Sequence, residues 1–197
     1  TVIAGIAWWL SGVSGQYLMA HGFSAIVLTN IRLLISGAVL LLFAYLSDKE
    51  KFVAFFKDKS SYISLILFAF FGLLLTQLTY LIAIAETNAG TATVLQYVCP
   101  VGVLAYTCIK DRVGPTVSEI ASMLLAIGGT FLIATHGQLN QLAITPKGLG
   151  WGLFSAFAYA LYIILPLNLI KKWGSMLVIG VGMLLPGMLM LPFSVLV

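Results

Sequence analysis

Seven apolar runs, separated by short polar punctuation, make up almost the whole chain, near residues 1–20, 25–46, 61–84, 89–109, 117–135, 148–169 and 175–196. Crossing a hydrocarbon core takes roughly 20 helical residues, so the pattern predicts seven membrane-spanning helices. His21-Gly22-Phe23-Ser24, Glu86-Thr87-Asn88 and Lys171-Lys172-Trp173-Gly174 read as turns between them. Asn88 is expected to cap the fourth helix, and Thr116 with Glu119 to form a capping box at the start of the fifth. In Lys51-Phe52-Val53-Ala54-Phe55-Phe56-Lys57, phenylalanines set between lysines suit a short helix lying in the headgroup layer, or an amphipathic loop.

Composition makes lipid the main solvent. Of 197 residues, 61% are hydrophobic and 8% charged, with mean hydropathy +1.09. A soluble domain carries roughly 25% charged residues. The net charge of +4 does not point to nucleic acid, because the ten basic residues form no face. They act as topology signals instead. Lys49, Lys51, Lys57, Lys59, Lys110, Arg112, Lys171 and Lys172 fall in the connections at 47–60, 110–116 and 170–174, and the alternate connections hold only Lys147. Eight against one places the N-terminus in the cytoplasm.

Cys99 and Cys108 lie nine residues apart in one apolar run. That is about 13 Å along a helix, too far for a disulfide, so both read as packing residues. No metal site or cofactor is expected. Thr1 is already inside an apolar run and Val197 ends another, so the chain is expected to be a fragment of a longer protein. The first run lacks the basic leader of a signal peptide.

The chain also echoes itself. Gly5-Ile6-Ala7-Trp8-Trp9-Leu10 returns 147 residues later as Gly152-Leu153-Phe154-Ser155-Ala156-Phe157. Ile31-Arg32-Leu33-Leu34-Ile35-Ser36-Gly37 returns 150 residues later as Val181-Gly182-Met183-Leu184-Leu185-Pro186-Gly187. Five spans separate the copies, and an odd number inverts the second. Inverted repeats are a recurrent transporter architecture, with the substrate held near the midplane.

Three spans carry polar and aromatic residues at helical spacing. Thr93, Gln96, Tyr97 and Pro100 cluster on one side of the fourth; Ser155, Tyr159, Tyr162 and Pro166 follow i, i+4, i+7, i+11 on the sixth; Gln77 and Tyr80 are three apart on the third. Each alone fits interhelical glue, whereas the faces together suit a watered, substrate-binding cavity. Pro100 frees a carbonyl near Gln96 and is expected to kink its helix. Trp8 and Trp9 sit mid-span, away from the interfacial belt, and Trp9 joins the candidate lining. Arg32 is the one ionisable side chain well inside a span. It reads either as a cavity cation for an anionic substrate group or as a structural arginine snorkelling to Glu86 or lipid phosphate.

An enzyme reading starts from Gly12-Val13-Ser14-Gly15, which matches the nucleophile motif of rhomboid intramembrane proteases. A serine nucleophile needs a base within hydrogen-bond reach. His21 and His136, the two histidines, both fall in predicted extracytoplasmic turns. Close packing by small residues explains the motif better, and no catalytic residue is expected.

The chain resembles the EamA-type transporters of the drug/metabolite transporter superfamily. The resemblance is carried by Ala83-Ile84-Ala85, Thr91-Ala92-Thr93-Val94-Leu95-Gln96, Pro100, the turn Asp111-Arg112 and Gly128-Gly129. Trp9, Arg32 and the segment from Lys147-Gly148-Leu149 to Ala160-Leu161-Tyr162 also match. Family members commonly have Glu-Arg where this chain has Asp111-Arg112. The resemblance implies an all-α integral membrane protein of ten helices in two inverted five-helix units, working by alternating access. Residues 1–135 would form the first unit, 136–147 an extracytoplasmic connection, and 148–197 the first two helices of the second. The expected function is transport, as an exporter of small metabolites or amino acids in the bacterial inner membrane. The expected partners are the bilayer, a small-molecule substrate and, as an open option, a second copy in a homodimer. A membrane-embedded enzyme and a non-transporting scaffold or sensor are the alternative readings.

Overall fold

The computed structural model describes residues 2–135 and 144–195, and among them there is no strand. Helix α1 covers Val2–Ala20 and α2 covers Ala25–Ser47. The lysine- and phenylalanine-rich connection folds as a short helix, α3 (Lys49–Lys57). The third predicted span is one helical run, Lys59–Glu86. It opens with a 3-10 turn at Lys59–Ser61, continues as α4 (Tyr62–Leu67), loosens to π geometry over Phe68–Leu74 and ends as α5 (Leu75–Glu86). The fourth span divides into α6 (Ala89–Gln96) and α7 (Cys99–Asp111), and the fifth is α8 (Val117–Thr135). The sixth divides into α9 (Pro146–Ile164) and α10 (Leu167–Trp173), and the last is α11 (Ser175–Val195).

Five of these runs are long and apolar enough to cross a membrane: Ala25–Ser47, Lys59–Glu86, Ala89–Asp111, Pro146–Trp173 and Ser175–Pro192. Helices α1 and α8 lie on the other two predicted spans, with Val117–Gly129 as a shorter apolar stretch of α8. Local chemistry fixes the ends. Asn88 accepts from the Thr91 N–H at 2.8 Å. The Thr116–Glu119 box closes both ways, with Thr116 N–H donating to Glu119 Oε2 at 2.7 Å and Glu119 N–H to Thr116 Oγ1 at 3.3 Å. Ser24 and Asp48 cap α2 and α3. Both interior breaks fall at prolines. Pro100 and Pro166 lack the N–H that would reach back one turn, and the helix restarts around each.

The chain divides into two compact units. One joins residues 1–22 with 79–160, and the other joins 23–78 with 161–197. In the second unit α11 packs along α2 more extensively than any other described pair. Glycines set the contact. A Cβ on Gly37 would lie 2.9 Å from Leu184, and one on Gly187 would lie 3.0 Å from Leu34. Leu184 stands to Leu34 as Gly187 stands to Gly37 in the internal repeat, so the contact is reciprocal. The two numbers of each pair add to the same total, which is antiparallel packing. The core beside it gathers Phe68, Leu73, Val178 and Val181. Gly72 and Gly182 both lie against the Phe68 ring, in the stretch that adopts π geometry.

In the first unit α6 packs against α1 and α8. Gly152 of α9 admits the Leu95 side chain, which a Cβ there would overlap. Lys147 pairs with Glu86 at 2.6 Å, tying the start of α9 to the end of α5.

Candidate functional site

The first unit carries its polar groups around the break between α6 and α7. With no N–H on Pro100, the Gln96 carbonyl loses its usual donor from the next turn. The chain tightens instead, with Val98 N–H donating to Leu95 O at 3.2 Å and Val101 N–H to Val98 O at 3.0 Å. Helix α7 then begins at Cys99 with no side chain capping its first N–H groups.

One face of α6 is organised by hydroxyls. Thr93 Oγ1 donates to Ala89 O at 2.7 Å. Its oxygen also lies 2.7 Å from the Tyr80 hydroxyl, so the phenol donates to the threonine. Gly12 of α1 makes room for this pair: a Cβ there would sit 2.9 Å from the Tyr80 oxygen. Gln16 Oε1 accepts from Ala89 N–H at 2.9 Å, holding α1 against the start of α6. Gln16 was not among the sequence candidates, since an amide near a helix end carries no local pattern.

Gln96 continues this face one turn on. It is 2% exposed, and its Nε2 has no hydrogen-bond partner. Leaving a buried donor unmade costs about 1–3 kcal/mol. Native proteins keep such groups rarely, and their sites of retention are candidates for function.

Tyr97 and Pro100 turn away from that face. Tyr97 is 59% exposed and, with Pro100, Val101 and Leu104, lines a groove of about 340 Å³ against Ser118, Ser122, Met123 and Ala126 of α8. Thr93, Gln96, Tyr97 and Pro100 therefore do not share one side, as regular helical spacing implies. The tightened break shifts the phase between them. Tyr159 of α9, half-buried, lies within electrostatic reach of Tyr97 and Cys99. Ser155 is buried and donates to Gly152 O at 2.9 Å, an intrahelical bond.

The remaining candidates fall in the second unit. Gln77 is half-buried there. Tyr162 stacks on Phe68 with ring centroids 5.8 Å apart. Arg32 is half-buried on α2 and already engaged by a neighbouring group. The side chain of Trp9 lies outside the described residues, as does His136.

In the serine motif of α1, Gly12 lies close against the Tyr80 hydroxyl. Ser14 Oγ donates to Leu10 O at 2.7 Å, and His21 Nδ1 lies 2.8 Å from Tyr17 O. Neither group addresses the other. Among the described residues no three His, Cys, Asp or Glu side chains gather in a metal-binding arrangement.

No solved structure matches the chain. The uncharacterized inner membrane transporter YicL of Salmonella typhimurium is 38% identical over 193 residues, covering 98% of this chain and 64% of that protein. The chain thus spans less than two thirds of that relative's length. The model of the EamA-like transporter family matches residues 1–135. With apolar helices of membrane-crossing length, this chain is a multi-pass membrane protein that belongs to the EamA-like transporter family, within the drug/metabolite transporter superfamily.

Proposed function

We propose that the protein moves a small organic solute, an amino acid or similar metabolite, outward across the bacterial inner membrane by alternating access. Family membership and the name of the 38% identical relative support transport and the inner membrane. The observation that carries the site is the unpaired Gln96 amide next to the proline break of α6 and α7. Discontinuous helices near the midplane offer a solute main-chain and side-chain groups that a regular helix keeps to itself. In this reading Gln96 gives its free N–H to an acceptor on the solute. Tyr80 and Thr93 form the polar ledge beside it, and Tyr97 and Tyr159 supply aromatic surface. Trp9 and Ser155 are assigned as further lining in the first unit, Gln77 and Tyr162 as candidate solute contacts of the second unit, and Arg32 as a structural cation. The basic connections face the cytoplasm, as does the N-terminus.

The test is export. Cells with and without the full-length gene are loaded with a labelled metabolite library, and the medium is compared. A solute released faster only by cells with the gene supports the reading. Identical release of every solute, with the protein present in the membrane, overturns it.

A further inference from the structure

The lysine-bearing end of the second unit is built around α3. Its inner side is fixed. Phe55 is 1% exposed and stands edge-on to Trp173, with ring centroids 5.5 Å apart. Trp173 donates its Nε1–H to Ser61 Oγ at 3.2 Å. Asp58, one residue past α3, accepts from Lys172 at 2.5 Å. Tyr62 donates to Phe56 O at 2.6 Å.

With the inner side pinned, the outer side has one orientation. Lys49, Val53 and Lys57, at i, i+4 and i+8, line a shallow concavity with Glu50 and Ala54. The two lysine backbones stand about 12 Å apart along the helix; Lys49 Nζ rests 5.3 Å from the centroid of the Tyr45 ring, and its flexible stem lets it swing towards Lys57 when an anion lies between them. Between them the floor is apolar, with Val53 49% exposed and Phe56 nearby 45% exposed. Glu50 is the one acid in the lining, so Lys49 and Lys57 leave the concavity with a net charge of +1. Asp48 is spent accepting from Lys51 N–H at 2.9 Å, and Asp58 is held by Lys172, Ser60 and Ser61. Tyr45, Tyr62 and Trp173 surround α3. In a membrane protein such aromatics mark the level of the headgroups.

We propose that this face of α3 seats an anionic phospholipid. The headgroup phosphate lies between the Lys49 and Lys57 ammonium groups, and the top of the acyl chains lies on Val53 and Ala54. Charge complementarity selects the headgroup, and the apolar floor selects lipid over a free anion. Lipid binding at α3 does not depend on which solute the protein carries.

The test uses the full chain in detergent, titrated with phosphatidylglycerol or phosphatidylcholine in mixed micelles. Retained lipid is counted by native mass spectrometry, and thermal stability is followed in parallel. Phosphatidylglycerol is expected to be retained in preference and to raise the melting temperature, while inorganic phosphate at equal concentration does neither. Lys49→Gln and Lys57→Gln should each cut the preference about fivefold, the weight of one lysine near an anionic surface. Lys49→Arg should keep it. Lys147→Gln, on a different connection, should leave it unchanged. The proposal is overturned if the Lys49→Gln and Lys57→Gln proteins keep the full preference, if Lys147→Gln lowers it equally, or if phosphate alone reproduces the stabilisation.

Discussion

Gln96 and Asp58 are polar groups in opposite situations. The Gln96 amide is buried with its Nε2 unpaired, so the folded state carries a cost that an apolar side chain of similar size avoids. Gln96→Leu is expected to raise stability by about 1–3 kcal/mol and to lower solute transport about tenfold, the weight of one lost hydrogen bond to solute. Melting and counterflow measured on the same preparation separate the two effects. Lower stability with normal transport would mean that the amide serves packing alone. Asp58 is over-satisfied instead. The Lys172 ammonium, then the Ser60 and Ser61 hydroxyls, hold its carboxyl well below the usual carboxylate range. A depressed folded pKa contributes stability that is complete above the unfolded value, near 3.9, and is lost as pH falls through the folded value. The Asp58–Lys172 contact should therefore persist across neutral and mildly acidic pH. In a protein whose only tryptophan is Trp173, emission should stay flat from about pH 8 to about pH 5, and Asp58→Asn should shift it throughout. A titration of the parent protein inside that window would refute the assignment.

At the scale of elements, the sequence is informative wherever the cause is local. The spans follow from apolar length, and the ends at Asn88 and Thr116 from capping chemistry. The break at Pro100 follows from a missing N–H. What spacing misses is the consequence of that break. A few tightened hydrogen bonds rotate Tyr97 and Pro100 away from Gln96, so an unbroken helical wheel groups residues that face different ways. The π stretch Phe68–Leu74 is equally hidden, because part of its setting is tertiary: Gly182 of α11, together with Gly72 inside the stretch, leaves room around the Phe68 ring. The pairing of Asp58 with Lys172 spans 114 residues and has no local signal. The reciprocal α2–α11 contact combines both kinds of information and makes an asymmetric prediction. On Gly37 a Cβ would meet backbone, the Leu184 nitrogen at 2.9 Å and the Gly180 oxygen at 3.1 Å. On Gly187 the nearest atoms are side-chain carbons of Leu34 and Leu33, at 3.0–3.3 Å. Gly37→Ala should cost about 1–3 kcal/mol by overpacking, and Gly187→Ala distinctly less, read as detergent-phase melting temperatures. Equal losses would mean that the two helices slide apart freely at this contact.

At the scale of the whole molecule, the charged residues bear on how transport is driven. The six acids are Asp48, Glu50, Asp58, Glu86, Asp111 and Glu119. Asp48 and Asp58 flank α3, Glu50 is in its first turn, Glu86 and Asp111 end α5 and α7, and Glu119 is in the first turn of α8. Proton-coupled transporters place a carboxylate or histidine within the membrane, where burial brings its pKa into working range. Away from their ends, the described spans carry amides, hydroxyls, the thiols of Cys99 and Cys108, and Arg32, and no carboxylate or imidazole. Residues 1–197 are therefore expected to supply solute contacts but no proton site, and transport to proceed by facilitated diffusion or exchange. The full-length protein in vesicles, given a pH gradient with the membrane potential clamped at zero, tests this with a neutral solute. Accumulation is expected to stop at equal concentrations on the two sides. Uphill accumulation that survives removal of every membrane-embedded acid outside residues 1–197 would show that this part of the chain carries the coupling proton. The next group to test would then be Glu86, whose carboxylate at the end of α5 is held by Lys147 at 2.6 Å.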